Sequence, residues 1–460
     1  MRPERRTAAT QPTDTRRLLA AILSGVIPGL GQAMNGRTRQ AAIFLVPSLI
    51  VLLVAGLLLL TTSSTMLLAR AIVPDTLRTL LILDVVVLVW RLAAVIQAFV
   101  DRRYPPRPGR LGAVGLAIVV VLVALPHAIA GLYGANALTT FENVFSGSRG
   151  VPVGGKNDDP GSTAGPTPLT GERVNVLLMG IDSGPSRSQA LTDTLMVVSL
   201  DPVGRTVTML SIPRDLIDVP LGNGQKFGPK INSLLGWANS QSHKSDFPQG
   251  GTRALEDAIG ALLGIPIHYY AKVDLGGFVD MINAVGGVDI KVTKRLADPN
   301  YGGFGVGPGW SIDPGVHHLD GANALAYARV RKSLGESDFT RAARQQQVLI
   351  ALRDQAVKKD LLVSLPALLQ AVGDTVRTDL PAARLPEFAA FAEEIGGDRT
   401  TQAVLTSPMV KAGAANNPYG SVVIPVPLRI KQMVAVIFTP PGTPPGPWPP
   451  DSSPRPSASP

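Results

Sequence analysis

The sequence predicts a mixed α/β fold, with a sheet sandwiched between helices, carried on an all-helical transmembrane anchor. Three long apolar runs lie in the first third of the 460-residue chain. Each is close to the length of about 20 residues that a helix needs to cross the hydrocarbon core of a bilayer. Beyond residue 173, short strand-like runs alternate with segments of helical periodicity, and no internal repeat is evident. This alternation is typical of a layered α/β domain.

The predicted membrane spans are residues 41–60, 80–100 and 111–133. The second span contains Asp84 and Arg91, which are seven residues apart and therefore on one helical face. There they form either a stabilising buried pair or an intramembrane functional site. A weaker apolar run, residues 18–33, is short and interrupted by glycine and proline. We therefore expect residues 1–40 to form a cytoplasmic N-terminus with a re-entrant or interfacial segment.

The distribution of charge predicts the orientation of these spans. Residues 1–150 carry 15 basic and 6 acidic side chains and residues 151–460 carry 28 of each, so the whole net charge of +9 belongs to the membrane region. Arginines flank the apolar runs, and three spans place all of their clusters on one side, which is the cytoplasmic side by the positive-inside rule. The protein is then a multi-pass membrane protein whose chain after Tyr133 is extracytoplasmic, and we expect no nucleic-acid partner.

Two absences narrow the class of protein further. The sequence has no cysteine, which excludes disulfides, thiolate nucleophiles and zinc–thiolate sites. No cleavable signal peptide is evident before the first span.

Composition divides the rest of the chain into three parts. Residues 145–172 are rich in Gly, Pro, Ser and Thr and predict a linker, and residues 439–460 predict a proline-rich disordered tail. Between them, residues 173–438 predict the extracytoplasmic domain. Its expected strands are residues 174–181, a hairpin of 194–200 and 206–212, and 268–273, and its expected helices are residues 252–263, 277–285, 321–328 and 339–358.

Two carboxylates stand at adjoining strand ends in this domain. Asp182 closes the first apolar strand, and Asp193 comes immediately before the next one. They can meet at one edge of the sheet, where oxygen-only ligands suit a hard divalent cation such as magnesium. Taken singly, each aspartate is better explained as the cap of a turn.

Basic residues follow in two groups. Arg214 projects after Pro213 from the end of the hairpin, and Lys230 follows a glycine-rich loop; salt bridges are the simple alternative for both. Arg329 and Arg331 point to one face if the chain is extended there.

A charged stripe continues on the next predicted helix. Asp338, Arg341 and Gln345 fall at i, i+3 and i+7, and the stripe runs on as Val348 and Leu352. A face that begins charged and ends apolar suits an amphiphile with an anionic head and a hydrocarbon tail. Several converging arginine forks imply more than one phosphate. The alternative is a solvated charged face whose two apolar residues belong to the ordinary core.

Across roughly residues 173–350 the sequence resembles the LytR–CpsA–Psr (LCP) family of cell-wall glycopolymer ligases. The segments that carry the resemblance are residues 180–182, 192–194, 211–215, 230–232, 286–289, 319–331 and 338–345. The resemblance implies an LCP-like fold and a metal-dependent phosphotransferase. Such an enzyme moves a glycopolymer from undecaprenyl pyrophosphate to a muramic-acid hydroxyl of peptidoglycan, and the membrane is a further partner.

The resemblance also implies roles for individual residues. The magnesium (or manganese) ligands would be Asp182 and Asp193, and the catalytic residues Asp193, Arg214 and Asp338. The pyrophosphate-binding set would be Arg214, Lys230, Arg329, Arg331, Arg341 and Gln345. Arginines and a metal can suffice without His or Cys because phosphoryl transfer depends mostly on positioning and charge neutralisation. A carboxylate can also act as base on the incoming hydroxyl, and we expect it to be Asp193.

One position departs from the family pattern. Leu191 stands where the family often has arginine, and Arg187 in the preceding loop is a possible substitute. This departure favours one alternative to the transferase, a non-catalytic lipid-binding or regulatory protein. A second alternative, a polyprenyl-pyrophosphate phosphatase in which water replaces the acceptor hydroxyl, is favoured by the intact arginine set, as the transferase is.

Overall fold

A computed structural model describes residues 14–62, 67, 73–101, 108–145, 171–182, 191–222, 224–333, 336–358, 373, 375–395 and 399–446. The chain separates into two compact units. One comprises Met1–Leu67 and Ala71–Thr139, and the other comprises Leu68–Arg70 and Thr140–Pro460.

The first unit is helical throughout its described residues. Its helices are α1 (Asp14–Val26), α2 (Leu30–Met34), α3 (Thr38–Thr61), α4 (Pro74–Phe99) and α5 (Arg110–Val144). By length and composition α3, α4 and α5 can each cross a membrane, with mean hydropathies of 3.0, 2.4 and 2.5 in their most apolar windows. The three predicted apolar helices are therefore confirmed, although α5 continues beyond the predicted end at Tyr133.

The weaker run of residues 18–33 forms two short helices. The chain turns between α1 and α2 at Gly29, whose φ of +108° favours glycine, and a Cβ there would lie 2.7 Å from the carbonyl oxygen of Ala41. The Ser24 hydroxyl donates to Gln32 at 2.9 Å, and the Gln32 amide donates to the Ala94 carbonyl at 2.8 Å. These bonds hold the segment against α4, and its depth in a membrane stays a prediction.

The polar residues of α4 are joined through a third residue. His127 of α5 lies between them, with Nδ1 2.7 Å from Asp84 Oδ1 and Nε2 3.2 Å from an Arg91 nitrogen, while Arg91 also donates to the Gly25 carbonyl at 2.5 Å. Arginine can only donate, so His127 Nε2 accepts and the ring proton is on Nδ1, facing the carboxylate. The alternative of a pair is thus corrected, because Asp84 and Arg91 are joined through His127 in a three-residue chain across two helices, and the alternative of an intramembrane functional site stays a prediction.

The second unit is built on a six-stranded mixed sheet with the order β11-β6-β1-β2-β3-β12. Its strands are β1 (Val174–Asp182), β2 (Leu191–Asp201), β3 (Thr206–Ile212), β6 (Tyr269–Asp274), β11 (Val376–Thr378) and β12 (Thr400–Val404). The predicted hairpin is confirmed, because β2 pairs antiparallel with both β1 and β3, while β1–β6 and β3–β12 are parallel. The predicted strand of residues 194–200 begins earlier, at Leu191, so Asp193 lies inside β2.

Helices and small strand pairs cover this sheet. The helices are α6 (Leu234–Ala238), α7 (Gly250–Leu263), α8 (Leu275–Ala284), α9 (Gly321–Arg329), α10 (Asp338–Lys358), α11 (Leu385–Glu394) and α12 (Pro427–Ile437). The small pairs are β4 (Val219–Pro220) with β5 (Lys226–Phe227), β7 (Val288–Val292) with β10 (Gly315–Leu319), β8 (Leu296–Asp298) with β9 (Trp310–Ile312), and β13 (Val410–Ala412) with β14 (Val423–Pro425).

Side chains of β1 alternate between two apolar layers. Leu177 and Met179 belong to the core formed with α6, α7 and α12, whereas Val174 and Val176 belong to a smaller cluster that includes Phe391 of α11. A strand buried on both faces in this way requires a helix layer on each side. The predicted sandwich of sheet between helices is confirmed.

The start of β1 is tied to the C-terminal segment. Arg173 donates to Asp201 at 3.2 Å and to the Thr439 carbonyl at 2.5 Å, and the Gly442 amide donates to Asp201 at 3.0 Å. The first residues of the predicted tail, from Thr439, therefore pack on the α/β unit and are not a disordered tail, because they satisfy buried polar groups. Residues 447–460 and nearly all of the predicted linker lie outside the described residues.

Candidate functional site

A cleft of about 270 Å³ lies between the sheet and the helices α8, α9 and α10. Part of its wall is apolar and comes from both layers: Leu178, Val273, Phe278, Met281, Leu325 and Leu349. Another part is charged or polar: Asp193, Arg214, Arg329, Arg331, Arg341 and Gln345. The cleft therefore offers a concentrated set of guanidinium groups beside a surface that suits hydrocarbon.

The predicted carboxylates lie at the same end of β1 and β2. Asp182 is opposite Leu191 in the strand register, and the register shifts between Gly180 and Ile181. A Cβ on Gly180 would come within 2.9 Å of Thr194, so glycine allows the strands to approach here. The Asp182 and Asp193 side chains are only 9% and 19% exposed.

Each of the two carboxylates accepts a hydrogen bond from an arginine. Arg214 donates to Asp193 at 2.7 Å, and Arg329 donates to Asp182 at 3.4 Å. Burial by itself would lower the pKa of Arg214, but the charges of Asp193 and Asp215 outweigh it and raise that pKa. Arg214 therefore carries a full charge beside the cleft.

Lys230 does not line the cleft, although Arg214, to which it is connected through Asp215, does. Its ammonium group is 2.6 Å from Asp215, whose other oxygen is 3.8 Å from Arg214. Lys230 is thus placed to hold Asp215, and through it Arg214, and the salt-bridge alternative describes its position best.

Arg329 and Arg331 both line the cleft, but they reach it from different backbone conformations. Arg329 is the last residue of α9, and Val330 then turns to an extended conformation with φ −56° and ψ 133°. The expectation of an extended chain at 329–331 is therefore wrong for Arg329. The Val330 N–H still donates to the Ala326 carbonyl at 3.0 Å, but the extended ψ of Val330 ends the helix and lets Arg331 turn back to Asp338 at 3.3 Å.

The stripe on α10 is confirmed for its charged part. Asp338 accepts from Arg341 at 2.8 Å, and a small hollow beside the main cleft is lined by Asp338, Arg341 and Gln345. Burial lowers the pKa of Arg341 to about 10, with Arg214 and Arg331 adding to the shift and Asp338 opposing it. Although burial opposes ionisation, Arg341 and Arg331 hold the pKa of Asp338 below its usual value.

The predicted apolar continuation of the stripe is wrong in its residues. Val348 is fully buried in the core with α8 and α9, and Leu352 packs against the same core. Neither lines the cleft, whereas Leu349 does. For Val348 the reason is helical geometry, because it is rotated from Gln345 toward the core of α8 and α9 whereas Leu349 is rotated the other way, toward the cleft. Leu352 shares the face of Gln345 but lies two turns further along the helix, where it packs against the core instead of the cleft.

Sequence reasoning missed several further residues of the cleft and its surroundings, among them Lys272 and Asp274 of β6, which line it. Phe278, Met281 and Leu349 form apolar wall, and no local pattern distinguishes them from ordinary core residues. Tyr301 shares a hydrogen bond with Arg329, and burial raises the pKa of its hydroxyl, which therefore stays protonated at neutral pH. Arg187, the suggested substitute for arginine at position 191, lies outside the described residues.

The donor set for a metal is small. Among the described residues no group of three or more His, Cys, Asp and Glu side chains is placed to hold an ion. Asp182 and Asp193 supply the oxygen ligands that Mg²⁺ prefers, but an octahedral ion would take most of its ligands from water or from phosphate oxygens. This donor set fits a magnesium ion that arrives with an anionic substrate better than a permanently bound one.

Known proteins resemble this chain over the α/β unit. The model of the LytR_cpsA_psr family matches residues 154–420. TagU of Halalkalibacterium halodurans, a polyisoprenyl-teichoic acid–peptidoglycan teichoic acid transferase, is 31% identical over 58% of this chain and 79% of its own. The cell wall biosynthesis protein LcpA of Corynebacterium glutamicum is 30% identical over 61% of this chain and 56% of its own.

Among solved structures, Bacillus subtilis TagV is 27% identical and covers 58% of this chain and 97% of its own, with a TM-score of 0.46. The family match extends over more than half of the chain and includes every strand and helix that lines the cleft. The chain belongs to the LytR_cpsA_psr family.

Proposed function

We propose that the α/β unit transfers a glycopolymer from a polyprenyl diphosphate carrier to peptidoglycan. The observation that carries the proposal is the amphiphilic cleft, in which four arginines adjoin an apolar wall. A diphosphate gains charge-assisted, bidentate hydrogen bonds from guanidinium groups, and a polyprenyl chain gains from apolar burial. The transferase names of the relatives support the same reaction class.

The charge balance of the site favours an anionic ligand. Arg214, Lys230, Arg329, Arg331 and Arg341 face four carboxylates, Asp182, Asp193, Asp215 and Asp338. Lys272 and Asp274 also line the cleft and add one charge of each sign, so one positive charge is left in excess. Each of these arginines already contacts a carboxylate. An entering diphosphate therefore replaces carboxylates as the hydrogen-bond acceptor of these arginines, and this exchange releases the Asp193 carboxylate from Arg214.

In the proposed reaction, the acceptor hydroxyl attacks the phosphorus atom that carries the polymer. The bond from that phosphorus to the bridging oxygen breaks, and its electron pair leaves with polyprenyl phosphate. The hydroxyl proton passes to the Asp193 carboxylate once Arg214 has turned to the phosphates. Arg331 and Arg341 neutralise charge on the phosphate oxygens during the transfer.

Magnesium or manganese belongs to the proposal as a cofactor, with Asp182 and Asp193 as its protein ligands. A bound cation would neutralise phosphate charge and orient the two phosphates. Direct binding tests this part independently of turnover. Manganese relaxation or calorimetry should detect an ion that binds more tightly when a soluble diphosphate is present, and Asp182→Asn should abolish that binding.

A lipid-binding protein without transferase activity is the second candidate. It is favoured by Leu191, which provides no charge where the family often has arginine, and by the ion pair between Asp193 and Arg214.

For the anchor, we propose a multi-pass membrane protein with a cytoplasmic N-terminus and an extracytoplasmic α/β unit. A reporter fused after Gly150 should then be active only in an extracytoplasmic format.

The deciding experiment incubates the full chain in lipid vesicles with labelled lipid-linked glycan and peptidoglycan. Transferase activity yields label on peptidoglycan together with polyprenyl phosphate. Release of phosphate without labelled peptidoglycan would identify a phosphatase, and binding without either product would identify a carrier. Arg295→Gln serves as a matched control, because Arg295 is an exposed arginine of the same unit whose partner, Asp313, is equally exposed.

A further inference from the structure

Arg344 stands out among the arginines of α10 because it points away from the cleft. It lies three residues after Arg341 and directly before Gln345, both of which line the cleft, but Arg344 does not. Its side chain is 8% exposed and borders a polar hollow behind the helix, together with Lys294, Tyr327 and Glu336. A charge buried this deeply on the reverse face requires specific partners.

Those partners are at the C-terminal end of α9. The Arg344 guanidinium donates to the carbonyl oxygens of Tyr327 and Val330, which lie on either side of Arg329. The last carbonyls of a helix have no intrahelical donor and carry the negative end of its dipole, so a cation there is favourable. Gln345 reaches the Ala328 carbonyl at 3.5 Å from the same helix.

The charge of Arg344 is balanced by a second buried group. Arg344 donates to Glu336 at 2.8 Å, and Glu336, whose side chain is 0% exposed, also contacts Lys294 at 2.6 Å and Thr340 at 2.8 Å. Burial alone would favour the neutral acid. The hydrogen bonds from Lys294 and Thr340 and the charge of Arg344 nevertheless hold the pKa of Glu336 below its usual value.

We propose that Arg344 is a positioning residue, which fixes the direction of Arg329 and Arg331 by capping the end of α9. It contacts no ligand and acts through the backbone that carries those two arginines. The inference rests on the proposed function, since it concerns how the same cleft recognises a diphosphate. Two arginines one turn apart on α10 thus have different roles. Arg341 contacts the ligand, and Arg344 holds the backbone segment that carries Arg329 and Arg331.

Arg344→Lys tests the role because it keeps a positive charge near Glu336 but replaces the fork by a single ammonium group. One ammonium cannot reach two carbonyls and a carboxylate in the geometry of the guanidinium. We expect the affinity of the full chain for a polyprenyl diphosphate to fall about tenfold, with the affinity for the corresponding polyprenol unchanged. The ratio of the two affinities is the readout, because general loosening of the fold lowers both together.

Two further variants keep the test decisive. Gln347→Ala is the matched control, because Gln347 contacts the hydroxyl of the same Tyr327 and the Lys291 carbonyl but neither capped carbonyl, and its ratio should equal that of the unaltered chain. If Arg344→Lys does not fold, Arg344→Gln combined with Glu336→Gln removes both charges together and should show the same loss.

The outcomes separate this inference from the function on which it rests. An unaltered ratio in a folded Arg344 variant, or equal losses for both lipids, would overturn the positioning role. Arg331→Ala is measured alongside. If that variant loses diphosphate affinity and the Arg344 variants do not, only the positioning role fails. If neither loses it, the proposed function fails as well.

Discussion

The two units each contain a cluster of buried charge, and the clusters differ in balance. In the helical unit, one carboxylate, Asp84, and one cation, Arg91, are linked through His127, and Arg91 also donates a hydrogen bond to a backbone carbonyl. In the α/β unit, the cations outnumber the carboxylates they contact and several of them line a cleft. A matched chain between helices is what packing alone requires, whereas a surplus of cations around a cavity is what we expect of a site for an anionic ligand.

Of the substitutions that test this contrast, we expect the one at Asp193 to have the largest effect, which is on turnover. Asp193→Asn keeps the size of the side chain but removes the negative charge, and therefore the proposed base and metal ligand. We expect turnover to fall about a hundredfold, equivalent to roughly 3 kcal/mol of barrier, with the melting temperature little changed. Steady-state transfer of labelled glycan measures it. Undiminished turnover would remove Asp193 from the reaction.

Val348 and Leu349, which are neighbours on α10, allow the contribution of the core to be distinguished from that of the cleft. Leu349→Ala should weaken binding of polyprenyl diphosphate and polyprenol alike, by about tenfold, because both lose the same apolar contact. Val348→Ala should instead cost roughly 1–3 kcal/mol of folding stability and leave both affinities intact. Lipid titration and chemical denaturation of the two variants provide the comparison. Identical behaviour of the two variants would contradict this assignment of the faces.

The helical cluster should respond in stability and not in ligand binding. His127→Ala breaks the link between Asp84 and Arg91, and polar contacts between membrane helices are worth about 0.6–2 kcal/mol. The full chain in detergent should therefore melt at a lower temperature while keeping its preference for the diphosphate lipid. Loss of that preference would mean that the two clusters are functionally coupled.

The smallest effect concerns acid stability. Glu336 has a pKa below its ordinary value of 4.5 in the folded state, so its ion pairs contribute stability that is fully present above about pH 4.5. This contribution is lost as the pH falls through the folded-state pKa. Glu336→Gln should flatten the acid limb of the stability profile measured by denaturation between pH 3 and pH 6, where Gln is neutral throughout. An unchanged acid limb would show that the buried network contributes nothing there.

Much of the fold was predictable from local patterns. Short apolar runs identified β1 and the β2–β3 hairpin, and three long apolar runs identified the long helices, because the length and composition of a run are local properties of the sequence. Helical spacing also placed Asp338, Arg341 and Gln345 together. The same spacing selected Val348, which the structure places in the core, instead of Leu349, which lines the cleft, because residues three and four positions after Gln345 are both compatible with the stripe.

The remaining features depend on tertiary contacts that leave no local signal. His127 joins Asp84 across 43 residues of sequence. Arg344 binds backbone carbonyls, which every residue type provides, so its motif alone does not distinguish it from Arg341. Lys230 was grouped with the phosphate-binding arginines by its motif, but only the structure places Asp215 beside it.

The central claim is that the arginines of the cleft recognise a diphosphate and its apolar wall recognises the attached hydrocarbon. The most direct test titrates a polyprenyl diphosphate and the matching polyprenol into the full chain, into Arg341→Ala and into the control Arg295→Ala. Each arginine bond to phosphate is worth roughly 1.5–3 kcal/mol, so Arg341→Ala should bind the diphosphate about ten- to a hundredfold more weakly and the polyprenol equally well. Arg295→Ala should match the unaltered chain for both lipids. Equal losses for both lipids in Arg341→Ala, or no loss for either, would contradict the account.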